Sequence, residues 1–263
     1  MPEESKSKEK LILVTNDDGV HSPGLMALAR AMREIARAVV VAPDRERSAV
    51  GHALTMHRPL RVEKMRDDVY AVNGTPTDCV ALGIGKLLPG KPDLIISGVN
   101  KGANLGDDIT YSGTVSAAIE GTIFGIPSIA VSLMLDGTPA AHYETAQQYS
   151  LEAARFVLRQ SLPYDTLLNI NIPNIPPAEV KGIKFTRQSK RIYNGAVHDI
   201  KSPWGETYYW IGGGKPFWEH GPDTDINAVM EGYISITPIH LDFTNAPAID
   251  WLRDRWANGP PEI

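Results

Sequence analysis

The sequence predicts an α/β protein: a three-layer, doubly wound, mostly parallel sheet with a β-hairpin extension toward the C-terminus. Three observations carry this reading. Short, continuous apolar runs recur at 11–15, 38–42, 93–97 and 128–133, the pattern of strands buried on both faces of a parallel sheet. Longer segments with apolar residues at helical spacing separate them, so strand and helix alternate through the first ~135 residues. Each apolar run stops at polar or glycine-bearing sequence, where the loops of such a sheet collect.

The 263 residues, 43% of them hydrophobic and 22% charged, are enough to bury a full-sized core. A disordered tail or a disulfide-stapled miniprotein is thereby excluded. The 26 basic and 31 acidic side chains give a formal charge of −5, with no long block of either sign. This balance argues against broad electrostatic capture of nucleic acid or of an anionic membrane. A lone cysteine, Cys79, can form no internal disulfide and suits a reducing cytoplasm. Residues 1–10 are polar and charged, and the apolar run 11–14 is too short for a signal-peptide core or a membrane span. The expectation is a cytoplasmic protein with one domain over 10–263 behind a disordered tail, 1–9.

The first run, 11–15, ends at Asn16-Asp17-Asp18-Gly19. Ser22-Pro23-Gly24 then offers an N-cap with proline at the first helical position, and Leu25, Leu28, Ala29 and Met32 recur at helical spacing. With the strand at 38–42 this makes a βαβ unit, its crossover expected to be right-handed. Two short strands are expected at 60–63 and 69–72. Thr75-Pro76-Thr77-Asp78 has capping-box spacing and opens a helix through about Leu88. After the strand at 93–97, a glycine-rich loop, 98–112, leads into a helix over 113–124. A strand at 128–133 and a helix at 144–159 follow, and the first section reads as Rossmann-like.

Beyond Pro163 the character changes. Strands are expected at 167–172, 183–186 and 233–239, a short helix at 224–232 and a terminal helix at 249–256. The stretch of about 190–221 carries Tyr193, Trp204, Tyr208, Tyr209, Trp210, Phe217 and Trp218 among glycines and polar residues, which reads as an aromatic-rich hairpin rather than a second core.

In open α/β sheets ligands bind at the carboxyl ends of the strands, where strand order reverses. Asp17 and Asp18 stand there. Two adjacent carboxylates in a partly dry cleft repel each other unless a cation lies between them, and oxygen donors favour magnesium or manganese over zinc. The same pair can instead cap the turn by local hydrogen bonds. Ser112-Gly113-Thr114 precedes a helix and reads either as a cap or as an anion site built from free N–H groups and hydroxyls. An acidic pair and an anion cradle on one rim together suggest a phosphoryl group bridging ion and helix. A Gly-x-Gly-x-x-Gly turn and a Gly-Lys-Ser/Thr ending are both missing, which argues against dinucleotide and P-loop sites.

Several motifs now align. Asn16-Asp17-Asp18-Gly19 with His21-Ser22-Pro23-Gly24, Ala42-Pro43-Asp44-Arg45-Glu46-Arg47-Ser48, and Asn73-Gly74-Thr75-Pro76-Thr77-Asp78 occur in order. Ser97-Gly98-Val99-Asn100-Lys101-Gly102-Ala103-Asn104 and Tyr111-Ser112-Gly113-Thr114-Val115-Ser116 follow, and the pattern resumes at Gly232-Tyr233-Ile234. The sequence closely resembles the SurE family of survival proteins. The resemblance implies a metal-dependent phosphatase of nucleoside 5'- and 3'-monophosphates with possible polyphosphatase activity. It implies one divalent ion per subunit, Mg2+ or Mn2+, at Asp17, Asp18, Ser48 and Asn100, and a homodimer or homotetramer with exchanged C-terminal segments. Ser48 as a ligand comes from the resemblance alone.

On that reading Ser112, Gly113, Thr114 and Asn104 hold the phosphate, while Asp17, Asp18 and Asn16 serve catalysis. Arg45 and Arg47 are either attractors of the dianion or solvated loop arginines. The nucleophile is either water or one of the aspartates, and no general acid is evident, His21 being close in sequence but in a cap-forming turn. Cys79 reads as a small core hydrophobe, and Asp107-Asp108 as a solvated loop face rather than a second metal pair. Trp204, Trp210 and Trp218 fit a nucleobase or a subunit interface. The competing functional class is a metal- and nucleotide-binding regulator without catalysis.

Overall fold

Apolar residues alternate sides in the first strand, an interior strand of the sheet. In β1 (Leu11–Thr15), Ile12 and Val14 join one core, whereas Leu11 and Leu13 join another on the opposite face. A strand with both faces covered needs helices on both sides, and the computed structural model, which describes residues 9–135, 137, 140–192, 197–211 and 217–257, provides them. On one face α1 (Pro23–Met32) and α4 (Tyr143–Gln160) pack through Leu25, Leu28, Met32, Ala154 and Val157. On the other, α2 (Pro76–Leu82) and α3 (Gly113–Ile123) pack through Cys79, Val80 and Ala117.

The remaining main-sheet strands are β2 (Arg37–Pro43), β3 (Val62–Arg66), β4 (Val69–Val72), β5 (Leu94–Lys101), β6 (Ser128–Met134), β7 (Thr166–Pro173) and β8 (Ile183–Phe185). The extension contributes β9 (Arg191–Ile192), β10 (Val197–Lys201), β11 (Thr207–Ile211) and β12 (Phe217–Trp218). α5 (Asp225–Met230), β13 (Ile234–His240) and α6 (Ala246–Ala257) complete the order. The nine-stranded sheet runs β3-β4-β2-β1-β5-β6-β7-β13-β8. All neighbours from β4 to β7 are parallel; β3–β4 and β7–β13 are antiparallel. From β1 the chain winds first toward β2 and then, after β4, crosses to β5 on the far side. The reversal opens a crevice at the carboxyl ends of β1 and β5.

The expected elements form with shifted ends. The helix expected to Leu88 is α-helical only to Leu82 and continues as a π-helical turn, Gly83–Leu87. Thr75 and Asp78 make the expected capping box, whereas the Ser22 side chain makes no cap bond ahead of α1. β5 runs four residues past the expected Ser97, with a register shift against β6 between Ser97 and Asn100. Gly98 makes that irregularity possible: at φ +139° a Cβ would lie 2.3 Å from the Val131 carbonyl oxygen.

The hairpin extension is present as β10 paired antiparallel to β11, and every residue of both strands is exposed. β9 pairs with β12. Tyr193 and residues 1–8 of the expected tail, 1–9, lie outside the described residues. Among the described residues no helix is long and apolar enough to cross a membrane.

Candidate functional site

The crevice at the switch point is an open cleft of about 510 Å³. Asp17 and Asp18 from the end of β1, Ser48 from the segment after β2, Asn100 from β5, and Asn104 and Ser112 ahead of α3 all line it. Six of the expected site residues thus converge from four stretches of chain.

Asp17 is nearly buried and is held by the start of α3. The hydroxyl of Thr114 donates to its carboxylate, and the Thr114 backbone N–H adds its favourable polarity there. Gly113 allows this approach, because a Cβ there would lie 2.8 Å from Asp17 Cβ and 2.9 Å from its Oδ2. Burial raises the pKa of Asp17, against the lowering effect of those donors. Asp18, half-buried, accepts a hydrogen bond from the Lys101 N–H at 3.2 Å. Burial first, then the charges of Asp17 and Glu46, push its pKa up to about 6.

The helix start expected to cradle phosphate also binds an internal carboxylate. The Thr114 hydroxyl has one proton, and it goes to Asp17; Ser112 Oγ accepts the Val115 N–H at 3.1 Å as the N-cap. Gly113 packs directly against Asp17, and Ser112 and Asn104 line the cleft wall. Asn104 is fixed by its neighbours: its Nδ2 donates to Ser132 Oγ, its N–H to Asn171 Oδ1, and its carbonyl accepts from Asn169 and Asn171. Asn16 is wholly buried below the cleft and ties the turn by donating to the Gly19 carbonyl at 3.2 Å.

Other expectations are revised by the packing. Asp107 and Asp108 stay partly exposed but are paired: Asp107 meets Lys190 Nζ at 3.0 Å, and Asp108 pairs with Arg191. These two acids clamp the extension to the turn before α3. Arg47 bonds Asp44 and the Asn73 carbonyl, and neither it nor Arg45 lines the cleft. His21 borders a separate depression with Met26, Met65 and Arg66. Cys79 is fully buried, as expected. Glu46, Lys101, Tyr111 and Arg191 line the cleft without having been singled out from the sequence as site residues. Lys101 follows Asn100 directly, which is a signal; Arg191 belongs to the extension, 83 residues from its partner Asp108, and gave none.

The donor set suits a hard cation. Asn100 Nδ2 is committed to the Gly102 carbonyl at 2.8 Å, leaving its amide oxygen as the free donor atom. Ser48 Oγ gives its proton to Glu46 at 2.7 Å and keeps its lone pairs. Two carboxylates, an amide and a hydroxyl match Mg2+ or Mn2+ better than zinc. Among the described residues no three His, Cys, Asp or Glu side chains form a metal-type group.

Fold and cleft define a doubly wound α/β protein with an acidic, oxygen-rich crevice at its switch point. A family model described as Survival protein SurE matches residues 12–195. The chain is 54% identical over 242 residues to a Geobacter sulfurreducens protein named 5'-nucleotidase SurE, covering 92% of each. A protein of the same name from Pelobacter propionicus is 55% identical over 234 residues, 89% of this chain and 94% of its own. The crystal structure of SurE protein from Aquifex aeolicus superposes with a TM-score of 0.81 at 46% identity, over 93% of this chain and all of that one. The chain belongs to the SurE family.

Proposed function

We propose that this protein is a metal-dependent phosphatase that hydrolyses nucleoside 5'- and 3'-monophosphates to nucleoside and phosphate. One observation carries the reading: Asp17, Asp18, Ser48 and Asn100 meet at the switch-point cleft beside Asn104 and Ser112. The identity to proteins named 5'-nucleotidase supports it.

Asp17, Asp18, Ser48 and Asn100 would hold one Mg2+ or Mn2+ ion per subunit. Such an ion supplies charge neutralisation at the phosphoryl oxygens and makes water more acidic. The chain's own residues do the rest. Thr114 fixes Asp17, and the Lys101 N–H fixes Asp18. Ser112 and Asn104 offer polar groups to phosphoryl oxygens from the cleft wall. Lys101 and Arg191 offset the acidic wall for an incoming dianion.

The assembly we propose is a homodimer or homotetramer that exchanges C-terminal segments, in a cytoplasmic protein whose residues 10–263 form one unit. A two-stranded hairpin is marginal by itself, and β10–β11 exposes Val197, Ile200, Tyr208, Trp210 and Ile211. α6 likewise exposes Trp251 and Leu252. Residues 190–221 would serve assembly.

The test is release of inorganic phosphate from a panel of 5'- and 3'-nucleoside monophosphates with Mn2+, Mg2+ or excess chelator. Metal-dependent release supports the phosphatase. No release from folded protein under any ion would leave a non-catalytic nucleotide-binding regulator.

A further inference from the structure

Residues 44–61, between β2 and β3, contain no helix or strand, yet they carry Glu46, Ser48 and Ala49 to the cleft wall. A segment this long needs anchors outside itself to keep one geometry. Ala49, next to Ser48, has φ +56°, a left-handed backbone that a residue with a Cβ keeps only under constraint.

The capping box of α2 anchors the segment just beyond Ala49. Thr55 donates its N–H to one oxygen of Asp78 at 2.8 Å and its hydroxyl to the other at 2.6 Å. The same carboxylate accepts the Thr75 N–H at 2.8 Å. Thr75 Oγ1 accepts the Asp78 N–H at 3.1 Å while donating to the Ala53 carbonyl at 2.7 Å. Both side chains that cap α2 therefore also grip residues 53–55. A second grip comes from the α3 side, where His52 Nε2 meets Glu120 Oε2 at 2.8 Å and the Gly51 N–H donates to the Tyr111 carbonyl at 3.2 Å. Asp78 is 2% exposed and does not line the cleft. A helix of two turns needs a cap, but it does not need one that reaches across to a loop 23 residues earlier.

We propose that Asp78, together with Thr75, is a positioning residue: its clasp on residues 53–55 holds the loop so that Ser48 and Glu46 face Asp17 and Asp18. The Asn73–Asp78 motif, which supplies nothing to the cleft wall, thereby acquires a role in the site. The proposal rests on the reading of Asp17, Asp18, Ser48 and Asn100 as a cation site.

Thr55→Val removes the loop's hydroxyl donor and leaves the α2 capping box in place. Backbone hydrogen exchange over residues 46–55 and Mn2+ affinity by calorimetry are compared for wild type, Thr55→Val and Thr55→Ser, well below every Tm. The clasp predicts roughly tenfold faster exchange and about tenfold weaker Mn2+ binding in Thr55→Val, the scale of one hydrogen bond to a charged group, with both restored in Thr55→Ser. A Thr55→Val protein that exchanges and binds like wild type overturns the clasp, even if its Tm falls. Absence of Mn2+ binding in wild type would instead defeat the cation-site reading, and unaltered exchange in Thr55→Val would then still overturn the clasp.

Discussion

Thr114 donates its hydroxyl proton to the carboxylate of Asp17 across 97 residues of sequence, joining the start of α3 to the end of β1. The helix N-terminus adds its partial positive charge to the same oxygen pair. Removing this support is expected to loosen whatever Asp17 holds. Thr114→Val, which keeps the shape and loses the donor, should weaken Mn2+ binding by about tenfold, whereas Thr114→Ser should stay near wild type. Calorimetric titration checks both.

Asp18 makes metal affinity depend on pH. In the metal-free protein, burial and the charge of Asp17 disfavour its ionised form, raising its pKa from 3.8 to about 6. The sign follows: its contribution to folding stability is full below 3.8 and is lost as pH rises through about 6. A cation competes with that proton, so Mn2+ should bind more tightly as pH climbs from about 5 to about 7 and then level off. Melting curves with and without Mn2+ across this range should show a growing gain in Tm. A gain independent of pH would contradict the assignment of Asp18.

Gly113 is a steric requirement. A methyl group at that position would meet Asp17 Cβ at 2.8 Å, and α3 cannot yield without disturbing the sheet. Gly113→Ala should lower turnover by roughly a hundredfold through displacement of Asp17, with unchanged far-ultraviolet circular dichroism. Steady-state kinetics beside the spectrum is the check.

Cys79 should be chemically silent. It is fully buried against the α2 face of the sheet, and burial pushes its thiol well above the ordinary range. Native protein is expected to resist iodoacetamide at a mildly alkaline pH and to react once unfolded in urea. Cys79→Ser should cost about 1–3 kcal/mol of stability, measured by chemical denaturation, because a hydroxyl replaces a small hydrophobe.

The parts legible in the sequence were those written in local runs. The strand at Leu11–Thr15 and the acidic pair after it follow from an apolar run that stops, and the Thr75–Asp78 box follows from spacing alone. Long-range pairings were not legible. A hydroxyl at a helix start serves an anion from solution or a carboxylate from a distant strand equally well in one dimension, so the bond from Thr114 to Asp17 leaves no mark in the sequence. The ion pairs of Asp107 and Asp108 leave no local signal because Lys190 and Arg191 lie about 80 residues on, in a segment with weak periodicity. The β5 extension depends on a register shift at Gly98 that no pattern of hydrophobicity records.

The central claim is that Asp17, Asp18, Ser48 and Asn100 hold one divalent ion. Anomalous diffraction at the manganese edge, from crystals grown with Mn2+, tests it directly. A single peak per subunit within bonding distance of oxygen atoms from those four residues is the predicted result. A peak elsewhere, or none at a Mn2+ concentration that supports phosphate release, would contradict it.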